Sequence, residues 1–146
     1  MYDSILIPFD GSDEAQEGVD HGLELAGAVD ATVHAMYVVD LPGAPRTVYI
    51  RDDEEEIREE YHDYGEEVTA DVCDQAADAG VDCETVIKTG AIHEEITEYA
   101  EEEGIDLIVM GTAYRGKVGA ILGGEAEKVV RTSTVPVTTV RMQRDG

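Results

Sequence analysis

Bases are scarce in this 146-residue chain: ten Lys and Arg stand against 34 Asp and Glu, a formal net charge of −24. Only three of the bases are Lys, and Asn is absent altogether. A surface this negative repels phosphate backbones, which excludes nucleic acid as a partner. Cysteine is nearly missing too. Cys73 and Cys83 form no CxxC pair and have no His at ligand spacing beside them. The expectation is two small buried thiols in a reducing cytosol rather than a disulfide or a metal site. Long apolar runs are also lacking. No uncharged stretch approaches the ~20 residues of a bilayer span, and no apolar leader precedes the first strand, so a soluble, cytoplasmic protein without membrane contact is expected.

What is present fits one ordinary domain over residues 1–146, long enough to bury a core without disulfide staples. The acids are spread over amphipathic segments rather than gathered in a tail. Self-repulsion on this scale strains a folded chain unless counterions screen it, and that points to a high-salt cytoplasm such as that of an extreme halophile. The charge is unevenly placed. Residues 1–110 hold 31 acids and 4 bases, whereas residues 111–146 hold 3 acids and 6 bases. The locally basic stretch begins at a glycine-rich loop with Arg115 and Lys117, which favours an anion there.

Apolar periodicity and turn residues predict alternating strands and helices. Ser4 to Pro8 reads as a first strand. Ser12 then caps a helix carrying Ala15, Val19, Leu23 and Ala26 on one face. Thr32 to Val39 is a second strand. A long acidic helix from about Asp52 to Ala79 carries an apolar stripe of Ile57, Tyr61, Tyr64, Val68 and Val72. Asp82 to Lys88 is a third strand, and His93 to Glu103 a helix burying Ile96, Tyr99 and Ala100. Ile105 to Met110, almost wholly apolar, is the strand expected at the centre of a parallel sheet. A helix from Glu125 to Thr132 and a last strand from Val135 to Arg141 complete the chain. This order implies an α/β fold, a parallel sheet with helices on both faces and a ligand crevice beyond the strand C-termini.

The segment IDLIVMGTAYRGKVGAILGGEAEKVVRTSTVPVTTV carries the chemistry. Its glycines Gly111, Gly116, Gly119, Gly123 and Gly124 let backbone approach a ligand, and the Gly123–Gly124 pair opens a helix whose free N–H groups suit an anion. GTAYRGKV approaches a P-loop, but Val118 stands where Ser or Thr would hold Mg²⁺, and VGAILGG is poor helix sequence. Asp10 and Asp40 both follow strands, as receiver-domain acids do, yet Phe9 and Gly11 flank Asp10 where a second acid is needed. His21, His34, His62 and His93 lie on separate elements without ligand spacing, so no metal site is expected. The Glu54–Glu56 and Glu101–Glu103 runs read as solvated helix faces. No catalytic constellation is legible.

These stretches together resemble the universal stress protein family. SILIPFDGSDEA looks like its first strand and loop, MYVVD its second strand, GAIHEEITEYAEEEGIDLIVMG its third helix and fourth strand, and VVRTSTVPVTTVR its last helix and dimer-forming strand. The resemblance implies a single-domain, Rossmann-like open five-stranded parallel sheet ordered 3-2-1-4-5, reversing between the first and fourth strands at Asp10 and Gly111. ATP-binding members carry G-x2-G-x9-G-[ST]. Gly111 matches its first glycine, Tyr114 replaces the second, Gly123 matches the third in a loop one residue short, and Gly124 replaces the Ser or Thr. Asp10 matches the acid near adenosine, and Val38 the residue lining adenine. The implied nucleotide-binding set is Pro8, Phe9, Asp10, Val38, Met110, Gly111, Arg115, Gly116, Gly123, Gly124 and Glu125.

Loss of a hydroxyl at Gly124 removes a hydrogen bond worth on the order of 1 kcal/mol, and the Glu125 carboxylate repels phosphate. The expected function is a stress-response module that binds ATP or another adenine nucleotide, with Mg²⁺ as an accompanying ion. It would act as a homodimer joined through Val135 to Val140, because a Pro136-containing strand belongs at a sheet edge. Two alternatives accompany it: a dimeric scaffold that no longer binds ATP, and a slow ATPase or nucleotidyl-transfer enzyme whose metal site and water-orienting group the sequence does not name.

Overall fold

The computed structural model describes residues 2–40, 52–112 and 124–141. The elements run β1 (Ser4–Pro8), α1 (Asp13–Val29), β2 (Thr32–Val39), α2 (Asp52–Asp78), β3 (Cys83–Thr89), α3 (Ile92–Glu102), β4 (Leu107–Thr112), α4 (Gly124–Thr132) and β5 (Val137–Arg141). All strands are parallel, in the order β3-β2-β1-β4-β5. This is the order that the resemblance implied.

The alternation of a strand distributes β1 between two cores. Ile5 and Ile7 face α1 and α2, Leu6 faces α3 and α4, and all three are fully buried. Parallel strands covered on both faces are therefore continuous apolar runs. β1 and β4 cannot be placed at an edge without exposing one such face.

α1 begins where the sequence places it. The Ser12 hydroxyl accepts from Ala15 N at 3.2 Å, and Asp13 and Glu14 complement the positive helix end. Its expected stripe of Ala15, Val19, Leu23 and Ala26 is buried, along with Gly18 and Gly22. A Cβ at Gly18 would come within 2.6 Å of Gly111 N, and one at Gly111 would fall on the Glu14 carbonyl oxygen. The backbones of α1 and β4 therefore touch. Gly111 is small because helix packing demands it, in addition to the ligand approach inferred from sequence.

Two expectations need correction. Tyr61 and Tyr64 are 46% and 42% exposed, not part of the buried stripe of α2. The face that packs on the sheet carries Gly65, Val68, Thr69, Val72 and Ala76. Small residues win there because the helix backbone presses on Tyr37, 2.5 Å from where a Gly65 Cβ would stand. The side chain of Ile57 lies outside the described residues.

The cysteines are also not thiols: Cys73 and Cys83 form a disulfide with Cα atoms 5.2 Å apart. Ten residues separate them, but the turn at Gly80 (φ +74°) folds β3 back against the last turns of α2. Helix-to-strand reversal creates a pairing that no short motif announces. Both cysteines are half-buried.

The sheet edges differ. β3 exposes Glu84, Thr85, Lys88 and Thr89, while Val137, Thr138, Thr139 and Val140 of β5 are only half-buried. Pro136 stands just before β5 rather than inside it, and its carbonyl accepts from Ile108 N at 2.9 Å. No described helix is long and apolar enough to cross a membrane.

Candidate functional site

The strand order reverses between β1 and β4, and a cavity of about 270 Å³ opens there beyond the strand C-termini. In open parallel sheets the connections diverge at this point, leaving a crevice that neither layer of helices fills. Its floor is apolar: Pro8, Phe9, Met36, Val38, Met110 and the half-buried Ile92. Its rim is polar, from Asp10, Ser12, Glu14 and Glu125.

Eight of the expected site residues line this one cavity: Pro8, Phe9, Asp10, Val38, Met110, Gly111, Gly124 and Glu125. Arg115, Gly116 and Gly123 lie outside the described residues, as do Tyr114 and Lys117. Met36, Ile96, Ser12, Glu14, Thr112 and Ala126 line it as well and were not foreseen. Most were legible as parts of elements: Ile96 and Met36 are fully buried core residues of α3 and β2 that also form part of the crevice wall.

Asp10 is fixed by its own turn. Its Oδ1 accepts from Ser12 N at 2.9 Å and from the Ser12 hydroxyl at 2.5 Å. Gly11 follows at φ +86°, a left-handed conformation that side chains resist. From α2 the Tyr64 hydroxyl donates to the Asp10 carbonyl at 3.2 Å, and the Tyr64 ring meets Tyr37 edge-on at 5.7 Å. Burial, followed by the neighbouring Tyr64, Tyr61 and Asp10 charges, raises the Tyr37 phenol above its ordinary value of 10.0. Tyr37 thus stays neutral beside the cavity. With Oδ1 committed to the turn, Oδ2 of Asp10 is the oxygen available to a ligand hydroxyl.

Gly124 also lines the cavity and starts α4 at φ +45°, with no described residue within 4 Å of the place a Cβ would take. Any other residue is strained there. Glu125 Oε2 accepts from His93 N in the first turn of α3 at 3.2 Å. The residue that should cap α3, Ala91, has no side chain able to do so. Glu125 therefore caps a second helix from the start of its own. His93 Nδ1 lies 3.3 Å from the same oxygen, within ion-pair reach, but it makes no proper hydrogen bond. Lys128 Nζ approaches Oε1 at 3.4 Å. His93, which the sequence left without a role, is an anchor for this carboxylate.

His62, Asp63 and Glu66 form an exposed trio on α2 with ligand atoms within 4.8 Å of one another. Successive helical turns bring any such residues together on so acidic a helix, and none of the three lines the cavity.

Comparison with known proteins decides the family. The universal stress protein family profile matches residues 1–141. A universal stress protein of Methanocaldococcus jannaschii is 37% identical over 147 residues, covering 97% of this chain and 83% of its own. The chain belongs to the universal stress protein family. Its fold is shared with UspA from Lactobacillus plantarum at a TM-score of 0.83 and 26% identity, covering 96% of this chain and 98% of that one. A universal stress protein solved in complex with cAMP superposes at 0.70, with 25% identity and coverage of 97% and 98%. The cavity described above thus occupies a fold in which an adenine nucleotide has been seen bound to a relative.

Proposed function

We propose that this universal stress protein is an adenine-ligand-binding module that works as a homodimer. The observation that carries the reading is the cavity at the strand-order reversal, lined together by Asp10, Val38, Gly111 and Gly124. An adenine ring fits between Val38 and Met110, with ribose hydroxyls at the free oxygen of Asp10. Phosphates would then point toward Gly111 and toward Gly124 at the start of α4, since the first turn of a helix leaves backbone N–H groups without intrahelical partners. Binding of cAMP by a relative with the same fold supports the ligand class. The half-buried β5 edge supports pairing of two copies through Val135 to Val140. In this reading nucleotide occupancy biases dimer or partner contacts rather than driving turnover.

Calorimetric titration of adenosine, AMP and Mg-ATP tests the ligand, with sedimentation velocity on the same samples for the dimer. We expect micromolar binding of at least one adenine ligand, lost in Val38→Trp, whose indole fills the cavity. No heat from any of the three ligands would remove the binding reading and leave a scaffold. A monomer at millimolar concentration would remove the dimer.

A further inference from the structure

The charge of the cavity rim is at odds with a polyphosphate ligand. Three carboxylates line it, Asp10, Glu14 and Glu125, and no Lys, Arg or His does so among the described residues. Glu125 matters most because of where it is held. It sits in the first turn of α4, at the helix end that would otherwise receive a phosphate. Its carboxylate is not free to swing away: His93 N holds Oε2 at 3.2 Å, and that contact also caps α3. Lys128 offsets little of the charge, since its side chain is 57% exposed and its Nζ is 3.4 Å from Oε1, a geometry in which water screens an ion pair.

We propose that Glu125 is a specificity-determining residue that makes the site rank adenine ligands by charge, holding adenosine in preference to ATP. The proposal rests on the adenine-ligand reading of the cavity. Its physical content is that one carboxylate, locked at a helix start by a second helix, cancels the anion attraction of that start. The basic side chains Arg115 and Lys117 belong to residues 113–123, outside the described part, and would act against it.

Sign separates the two effects. We would measure the adenosine and ATP dissociation constants without Mg²⁺, for the unmodified protein and for Glu125→Gln, in low salt and in molar KCl. Glu125→Gln keeps an oxygen to accept from His93 N. Its fold is checked by its melting temperature and its far-ultraviolet circular dichroism. The expected results are an unmodified protein that binds adenosine more tightly than ATP, and a variant that binds ATP about tenfold more tightly than before. Screening of a repulsion should also raise ATP affinity relative to adenosine as salt rises. This last measurement needs no variant. ATP preferred in both proteins, and weakened by salt, would overturn the inference while leaving adenine binding intact. Silence toward both ligands would overturn the two together.

Discussion

Gly111 shows how one residue can serve two masters. It lies on the cavity wall, where a family motif puts a glycine for the ligand, but the space its missing Cβ leaves is taken by the Glu14 carbonyl. Gly111→Ala must therefore push α1 off β4. Overpacking against backbone, which cannot rotate away, places its cost at the upper end of the usual range, about 3 kcal/mol. Urea unfolding of the variant checks this. A loss below about 1 kcal/mol would mean that α1 yields easily and that the glycine is there for the ligand alone. The sequence displayed this residue but not which neighbour required it, because spacing reports position along the chain and not what lies across a sheet. For Glu125 the reverse holds. Its place in the first turn of a helix was legible in the sequence, whereas its hold on His93 joins residues 32 apart and had no local signal.

At the scale of elements, the sequence was most readable where a segment had to be buried on both sides. β2 spans Thr32 to Val39 as expected, and α1 starts at its Ser12 cap. Ends drifted by one or two residues where no cap or turn residue marked them, as at β4 and β5. α2 misled because a helix of this acidity carries few apolar residues, and aromatic side chains were assigned to its stripe on spacing alone. Its true contact face is made of Gly, Val, Thr and Ala, which hydropathy counts undervalue. The Cys73–Cys83 bond ties this helix to β3. Closing a loop of that length restricts the unfolded chain by about 2–3 kcal/mol in the chain-entropy account. A Cys73→Ala/Cys83→Ala double variant should lose about that much stability by denaturant titration. Reductant should then lower the midpoint of the unmodified protein to match and leave the variant unmoved. Equal midpoints with and without reductant would show that the bond adds nothing.

The whole molecule is governed by its net charge of −24. Repulsion between acidic helices opposes the compact state at low ionic strength. Raising KCl from about 0.1 to 2 M shortens the screening distance from roughly 10 Å to below 3 Å. The melting temperature should climb by several degrees over that interval. A flat or falling curve would show that local pairs such as Arg131–Glu127 already balance the surface and that the acidity answers another need.

The two sheet edges also decide what kind of assembly this fold permits. β3 ends the sheet in exposed Glu84 and Lys88, strapped by a disulfide to the helix beside it, whereas β5 ends it in Val and Thr. Chains that pair through like edges consume the receptive side of both partners at once and leave only the charged side outward. Such a particle has nothing left to offer a third copy. Pairing of like edges would therefore close at two copies and could not extend into fibres.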